Sequence, residues 1–351
     1  MPIVPIGKVL VTGANGYIAA WVVRTLLEKG YSVRGTVRSE QKGLHLKKIF
    51  ASYKEKFETV VVEDITKEGA FDEAVKGVDA IEHTASPFHF KADDPKELIT
   101  PAVNGTISVL KSALSIPSVR RIVVTSSVAS ILEDLPAPKV FSESDWNEQA
   151  IIAVNTEGNK ASPANKYRAS KTLAEKAAWE VYNANKGKIS WDLVTLCPPM
   201  VYGPGIHDVS SPSALGTSAA DWYNSVVRPN SGGKPIQAIT SVAFGYVDVR
   251  DIAMAHALAL QKEDAGGERL IIINKEFVFQ DFIDIANSLS PSPIPSHTDL
   301  PKGSPGAGKG FQPMVTYDRT KTSKIFPELK YHTMEETTKD TLEDLSARVG
   351  S

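Results

Sequence analysis

Cysteine is almost absent from the sequence, since Cys197 is the only one in 351 residues. A single cysteine cannot close a disulfide within the chain, which excludes a scaffold held together by disulfides. This usage is typical of a reducing compartment, and we therefore expect the protein in the cytoplasm.

The sequence also lacks an excess of either charge, with 39 Lys and Arg against 41 Asp and Glu and a formal net charge of -2. No global field draws such a chain to nucleic acid or to an anionic membrane, so any partner must be recognised locally. Apolar runs of membrane-spanning length are missing. Because a strand-like run begins at Lys8, we expect no secretion signal before it.

Metal-binding patterns are missing too. The seven histidines form no H-E-x-x-H motif and no Cys/His cluster, so we expect no catalytic metal. No G-x-S-x-G elbow occurs, which disfavours a Ser-His-Asp hydrolase. We interpret His83 and His256 as buried residues with satisfied hydrogen bonds.

What the sequence does contain is an alternation of short Val- and Ile-rich runs with longer segments of helical periodicity. The alternation predicts an α/β fold with a Rossmann-like, doubly wound parallel sheet. Strands are predicted at Lys8–Thr12, Ser32–Val37, Thr59–Glu63, Ala80–Thr84, Arg121–Ser126 and Trp191–Cys197. Helices are predicted at Gly16–Lys29, Pro95–Ser115 and Ala164–Asn185.

The regular pattern stops after Cys197. Gly203–Gly245 is rich in Ser, Pro and Gly, and we interpret it as a loop-rich insertion over a site. The alternation returns with a short strand and a helix in Tyr246–Gln261, and with a strand at Arg269–Asn274. A further Pro-, Ser- and Gly-rich segment, Ser288–Gly310, is predicted to be an ordered loop or a lid.

A glycine motif points to a dinucleotide. Thr12–Ala19 reads T-G-A-N-G-Y-I-A, directly after the first predicted strand and directly before the first helix. Glycines there permit a tight turn and a close approach of the backbone to a pyrophosphate at the helix N-terminus. The alternative is an ordinary glycine-rich turn. The candidate cofactor-binding residues of this motif are Gly13, Asn15, Gly16, Tyr17 and Ile18.

Cations follow the second predicted strand. NAD enzymes usually carry an acidic residue at its end, whereas Arg38 stands there in this sequence and Lys42 follows one helical turn later. Both could pair with a 2′-phosphate, which favours NADPH. The alternative is that both are solvated surface cations, and the nearby Glu40 weakens the case for a phosphate.

Ligands of such sheets bind at the carboxyl ends of the strands. Asp64 and Ile65 close the third predicted strand and could hold the adenine, although Asp64 could equally be a simple turn residue. The other candidate cofactor-binding residues at strand ends are Thr84, Ala85, Ser86 and Thr125.

A catalytic group is suggested by Tyr167 and Lys171, which are spaced to share one face of a predicted helix. Carbonyl reduction needs a proton on oxygen, and a neighbouring ammonium is expected to lower the pKa of the phenol that supplies it. Ser127, just past the fifth strand, would hydrogen-bond the same substrate oxygen. Ser126 competes for that role, but Ser127 lies further beyond the strand.

Together these motifs make the chain similar to the extended short-chain dehydrogenases of the dihydroflavonol-4-reductase-like branch. The likeness is strongest to the fungal methylglyoxal and isovaleraldehyde reductases and the yeast-type carbonyl reductases. It covers nearly the whole chain and rests on several segments: TGANGYIA at Thr12, RGTVRS at Arg34, HTASPF at His83, PAVNGT at Pro101, TSS at Thr125, YRASK at Tyr167, PPMVYGP at Pro198 and YVDVRDIAMAH at Tyr246.

The resemblance implies an NADPH-dependent carbonyl reductase with Ser127, Tyr167 and Lys171 as its catalytic group and Asn104 near the active site. It also implies that Lys171 binds the nicotinamide ribose and that Pro198, Pro199, Met200 and Val201 line the nicotinamide. We expect an NADP-binding domain of residues 1–200 with 243–274, and a smaller substrate-binding domain of residues 201–242 with 275–351. Two departures, Cys197 before the proline pair and the composition of Ser288–Gly310, leave the substrate preference open.

Substrates of the methylglyoxal, ketoester or aryl ketone type would need an apolar wall. The aromatic candidates for it are Phe88, Phe90, Tyr202, Trp222 and Phe244, although ordinary core packing is the alternative for each. A nucleotide-sugar epimerase or dehydratase, and a non-catalytic NADP-binding regulator, are possible on the same fold. The few cations of Gly203–Gly245, Arg228 and Lys234, disfavour a sugar-diphosphate site. We expect a monomer or a weak homodimer.

Overall fold

The computed structural model describes residues 3–86, 92–209, 211–297 and 299–349. Its strands are β1 (Lys8–Thr12), β2 (Ser32–Val37), β3 (Phe57–Val61), β4 (Ala80–His83), β5 (Arg121–Thr125), β6 (Lys139–Phe141), β7 (Asp192–Cys197), β8 (Met200–Tyr202), β9 (Phe244–Asp248), β10 (Arg269–Ile271), β11 (Lys275–Phe277) and β12 (Val315–Tyr317). Its α-helices are α1 (Tyr17–Glu28), α2 (Glu40–Ile49), α3 (Lys96–Ala113), α4 (Glu148–Glu157), α5 (Pro163–Asn185), α6 (Thr217–Val226), α7 (Ile236–Thr240), α8 (Val249–Gln261), α9 (Phe279–Ser288), α10 (Thr320–Ile325) and α11 (Met334–Val349).

The central sheet has seven strands in the order β3-β2-β1-β4-β5-β7-β10, and all neighbours run parallel. The predicted doubly wound α/β fold is therefore confirmed. The strand order reverses between β1 and β4, and the carboxyl ends on either side of such a reversal flank the crevice where ligands bind. The glycine motif follows β1, so the topology sets it at this crevice.

Helices cover both faces of the sheet, which explains why β4 and β7 are buried along their whole length. On one face, α1 and α8 pack together over β1 and β7 in a single apolar cluster. On the other face, α3 and α5 pack against each other and their apolar residues join a second cluster. The two layers hold the carboxyl ends of β1, β4 and β5 in fixed register.

The structure corrects three details of the sequence-based prediction. The third strand is β3, which begins and ends two residues earlier than the predicted Thr59–Glu63. The predicted loop-rich segment Gly203–Gly245 contains α6 and α7. The predicted strand Arg269–Asn274 ends at Ile271, and the chain then enters β11, which pairs antiparallel with β9 in a separate three-stranded sheet.

A third apolar cluster packs α6, α9 and α11 around Tyr202, Phe277 and Phe282. Its members come mainly from the segments predicted to form a substrate-binding domain, and the proposed domain boundaries stay a prediction. Residues 289–310, where described, form neither helix nor strand. They are tied to α9, because Gln280 donates to the Lys302 carbonyl and Asn287 to that of Pro301. No described helix combines the length and apolar character needed to cross a bilayer.

Candidate active site

The glycine loop after β1 is pinned against β2. Gly13 has a φ of +63°, and the backbone N–H of Ala14 donates to the Thr36 carbonyl at 2.9 Å. The backbone N–H of Gly13 donates to Thr36 Oγ1 at 3.0 Å. A methyl group at Gly35 would lie only 2.7 Å from the Ala14 Cβ, so β2 needs a glycine at this approach.

The N-terminus of α1 opens from this loop. Gly16 is the N-cap and has no side chain to accept from the first-turn N–H groups. Such N–H groups attract anions, and the helix dipole adds to the attraction. The Tyr17 hydroxyl points elsewhere and donates to the Gly203 carbonyl at 2.6 Å. The Gly16 backbone N–H donates to the Gly13 carbonyl at 2.9 Å, so the backbone N–H groups of Tyr17 and Ile18 are the ones suited to a phosphate group.

Thr12 fastens the end of β4 to the end of β1. Its Oγ1 accepts from the backbone N–H groups of Thr84 and Ala85, each at 3.1 Å, and lies 2.9 Å from His83 Nδ1. Burial lowers the pKa of His83 to about 3, with Lys171 as a smaller cause, so the imidazole is neutral. The interpretation of His83 as a buried, satisfied residue is confirmed.

At the end of β2, the Arg38 and Lys42 side chains are exposed, and neither forms an ion pair or hydrogen bond with the part of the chain described. Glu40 is engaged with Lys47 at 3.2 Å. Asp64 accepts from the Thr66 backbone N–H and hydroxyl at 2.9 and 2.7 Å. These bonds lower the pKa of Asp64, and Arg38 contributes to the same direction. Asp64 thus has the role of a turn residue, which was the alternative to adenine binding in the sequence analysis. It lies close to Arg38.

Ile65, the other adenine candidate, packs on α3. A Cβ at Gly105 would lie 2.8 Å from the Ile65 Cδ1 atom. Asn104, the preceding residue of α3, is exposed, and none of the hydrogen bonds among described residues involves its side chain.

The structure brings Ser127 and Tyr167 together. The Ser127 side chain hydrogen-bonds Tyr167 and lowers the pKa of that phenol, but burial has the larger and opposite effect and raises it to about 12. Lys171 is not among the groups that act on this pKa, so the expectation that Lys171 lowers the pKa of Tyr167 is wrong for the side chains as they lie. The consequence is that Tyr167 holds its proton near neutral pH.

Lys171 lies one helical turn beyond Tyr167 on α5, and its Nζ donates to the Thr125 carbonyl at 3.4 Å. Burial lowers the pKa of Lys171 to about 8, against the raising effect of Glu175. A cavity of about 10 Å³ beside Lys171 is also lined by the predicted cofactor residues Ala85, Ser86 and Thr125. Four of the predicted residues thus meet at one point on the carboxyl edge of the sheet.

The segment after β7 joins the same point. The Pro198 carbonyl accepts from the Val128 backbone N–H at 3.0 Å and from the Ser127 hydroxyl at 3.4 Å. Pro198 is therefore tied to the turn that carries Ser127, whereas Met200 and Val201 continue into β8, which pairs with β9.

The predicted substrate wall is divided. Tyr202 and Trp222 are buried in the third apolar cluster, where both pack edge-to-face on Phe282. Phe244 is 38% exposed. Phe88 and Phe90 lie outside the described residues. A role for these aromatics in binding substrate stays a prediction.

Sequence reasoning missed the polar group beneath the catalytic residues. Glu175 is 1% exposed, and its carboxylate accepts from Arg269 Nε at 2.7 Å and from Ser126 Oγ at 2.5 Å. The signal for Glu175 was present, because it follows Tyr167 and Lys171 at intervals of four residues on one helix face. Arg269 gave no local signal, since it reaches Glu175 across 94 positions of sequence.

The chain is similar to known proteins over most of its length. The NAD dependent epimerase/dehydratase family matches residues 9–274. The NADPH-dependent methylglyoxal reductase of Saccharomyces cerevisiae is 35% identical over 95% of this chain and 96% of its own. A ketoreductase of Aspergillus niger is 36% identical over 91% of each chain. The crystal structure of the yeast methylglyoxal/isovaleraldehyde reductase complexed with NADPH superposes with a TM-score of 0.82 at 33% identity, covering 96% of this chain and 98% of that one.

Proposed function

The chain belongs to the NAD dependent epimerase/dehydratase family, and we propose that it is an NADPH-dependent carbonyl reductase that converts aldehydes or ketones to alcohols. The relatives that it matches over more than 90% of its length include a methylglyoxal reductase and a ketoreductase. The family, the cofactor and the reaction class expected from the sequence are thereby confirmed. The roles of individual residues and the identity of the substrate are proposals.

The hydrogen bond between Ser127 and Tyr167 carries the assignment of the catalytic group. Reduction of a carbonyl adds a hydride to carbon and a proton to oxygen, and NADPH supplies the hydride when bound. Tyr167 donates the proton, which its raised pKa keeps on the phenol until the substrate oxygen becomes negative. Ser127 gives the same oxygen a second hydrogen bond, and the Lys171 ammonium would hold the nicotinamide ribose.

The residues that would hold NADPH lie along the carboxyl edge of the sheet. The uncapped N-terminus of α1 and the close approach of the glycine loop to β2 fit a pyrophosphate. Arg38 and Lys42 are exposed and unpaired within the described residues, which fits the 2′-phosphate. The remaining proposed contacts are with the adenine, the ribose and the nicotinamide: Asp64, Ile65, Thr84, Ala85, Ser86, Thr125, Tyr167, Lys171 and Pro198–Val201.

A nucleotide-sugar epimerase receives less support from the structure. Of the two cations in residues 203–245, Lys234 is paired with Asp221 at 2.6 Å and packs over the Phe279 ring. Arg228 donates to Asn224 Oδ1 at 3.3 Å. Little positive charge is thus left in this segment for a sugar diphosphate.

The test is NADPH consumption with a panel of methylglyoxal, isovaleraldehyde, a ketoester and an aryl ketone. The proposal expects turnover with at least one of them and formation of the matching alcohol. NADPH binding without turnover on any member would contradict it and would favour a regulator.

Two further properties belong to the proposal. We keep the cytoplasm as the compartment, on the ground that the one cysteine, Cys197, is buried and free. We keep a monomer or weak homodimer as the assembly, which sedimentation at several protein concentrations would measure.

A further inference from the structure

A buried polar cluster lies directly beneath the catalytic group. It consists of Glu175, Arg269, Ser126, Ser130 and Thr195. Glu175 and Arg269 are 1% and 6% exposed. One carboxylate oxygen accepts from Arg269 Nε at 2.7 Å and from Thr195 Oγ1 at 2.8 Å, and the other lies 2.5 Å from Ser126 Oγ and 2.6 Å from Ser130 Oγ. A buried carboxylate with this many donors is charged and immobile.

We propose that Glu175 is a positioning residue for carbonyl reduction, which fixes the turn that carries Ser127 and supplies the negative charge that Lys171 faces. The inference rests on the proposed function and adds to it a residue that acts on the substrate only through others.

The first step of the argument concerns Ser127. It stands between Ser126 and Ser130, whose hydroxyls both contact Glu175. Ser130 Oγ is also 2.7 Å from the Ser127 carbonyl and accepts from Arg269 Nη2 at 2.9 Å. A hydroxyl has one proton to give, and the carboxylate is the stronger acceptor. Glu175 therefore binds Ser126 and Ser130, which lie on either side of Ser127 in the sequence, and Ser127 is the serine that bonds Tyr167.

The second step concerns Lys171, which is on the same face of α5 as Glu175, one turn earlier. Besides Glu175, the ionisable groups that interact with Lys171 are His83 on β4 and Cys197 on β7, and Tyr167 precedes it by one turn on α5. Burial lowers the pKa of His83 to about 3 and raises that of Tyr167 and of Cys197 to about 12, so all three are neutral near pH 7.

Glu175 is thus the charged group that opposes the desolvation of Lys171 among the described neighbours that act on it. Removal of its charge should lower the pKa of Lys171 further below about 8. If the ammonium form is the active one, activity is present below that pKa and is lost as the pH rises through it. Loss of Glu175 therefore moves the alkaline decline of activity to lower pH.

The same sheet offers a matched control. Arg121 and Asp192 form another buried ion pair, with Nε to Oδ1 at 2.6 Å and Nη2 to Oδ2 at 2.8 Å. They stand at the first positions of β5 and β7, at the opposite edge of the sheet from Ser127. Asp192→Asn thus removes a comparable charge from a comparable depth without touching the proposed catalytic group.

The experiment compares Glu175→Gln, Glu175→Asp and Asp192→Asn with the unaltered protein. The pH profile of kcat/KM should shift down by about one unit in Glu175→Gln, which is about a tenfold loss on the alkaline limb. Glu175→Asp should restore part of it, and Asp192→Asn should lower the melting temperature without moving the profile. If Glu175→Gln does not fold, the double variant Glu175→Gln/Arg269→Met removes the pair together and takes its place.

A second readout does not depend on turnover. Competitive acetylation of Lys171 across pH, followed by mass spectrometry, reports its titration even if no carbonyl substrate is reduced. A lower midpoint in Glu175→Gln supports the inference independently of the proposed function. Midpoints and pH profiles that match those of Asp192→Asn would overturn it and leave Glu175 a structural residue.

Discussion

Replacement of Arg38 by alanine tests the assignment of the cofactor phosphate. Arg38 is exposed and makes no ion pair or hydrogen bond within the described residues, so its removal breaks no contact of the fold. A hydrogen bond to a charged group contributes about 1.5 to 3 kcal/mol. Because Arg38 is exposed and salt screens its charge, we take the lower end of this range. A free energy of about 1.4 kcal/mol corresponds to a factor of ten in binding. We expect kcat/KM for NADPH to fall about tenfold.

The assay is the ratio of kcat/KM for NADPH to that for NADH, measured on one substrate. The value for NADH should stay constant, since NADH lacks the 2′-phosphate, so the whole loss appears in the ratio. Lys47→Ala is the matched control, because Lys47 is a cation on the neighbouring helix α2 that is paired with Glu40. An unchanged ratio in Arg38→Ala, with a normal melting temperature, would refute the reasoning.

Three further predictions concern the site and its scaffold. Ser127→Ala should lower kcat more than 10-fold with little change in NADPH affinity, and an intact kcat would move the role to another group. Activity of the unaltered protein should decline as the pH rises through about 8, the value to which burial lowers the pKa of Lys171. Constant activity above that pH would contradict a requirement for the ammonium form of Lys171. Gly35→Ala should destabilise the fold by about 1–3 kcal/mol in urea unfolding, because its methyl group would lie 2.7 Å from the Ala14 Cβ; equal stability would show that the loop can yield.

Local sequence patterns predicted the elements that build the cofactor crevice. The strands at Lys8–Thr12 and Ser32–Val37 have the predicted bounds, because each ends directly before a glycine turn or a charged residue. Helix α5 begins one residue before its predicted start, with Pro163 in its first turn and Ser162 as its cap. Such signals lie within a few residues of the feature that they mark.

Features that depend on distant contacts were not predictable in the same way. The chain at 217–226 forms a helix because Trp222 and Val226 are buried against α9, which the polar composition of the segment does not reveal. The register of β3 follows its pairing with β2, in which Val33 faces Phe57. Its apolar pattern alone fits a shift by two residues, which preserves the face of every side chain.

The site was predicted in its residues more fully than in its electrostatics. The spacing of Tyr167 and Lys171 indicated a shared helix face, yet the direction of the Tyr167 pKa shift depends on burial, which no local motif encodes. The choice of Ser127 over Ser126 rested on position beyond the strand. The structure gives the two serines different partners, since Ser127 bonds Tyr167 and Ser126 bonds Glu175.

The central claim is that Tyr167 gives its proton to the substrate oxygen, and turnover by Tyr167→Phe tests it most directly. The measurement is kcat for NADPH-dependent alcohol formation, made beside NADPH affinity and melting temperature. General acid catalysis contributes about 10²- to 10⁴-fold, so kcat should fall by at least about 100-fold while the other two values hold. Alcohol formation at the normal rate by this variant would contradict the account.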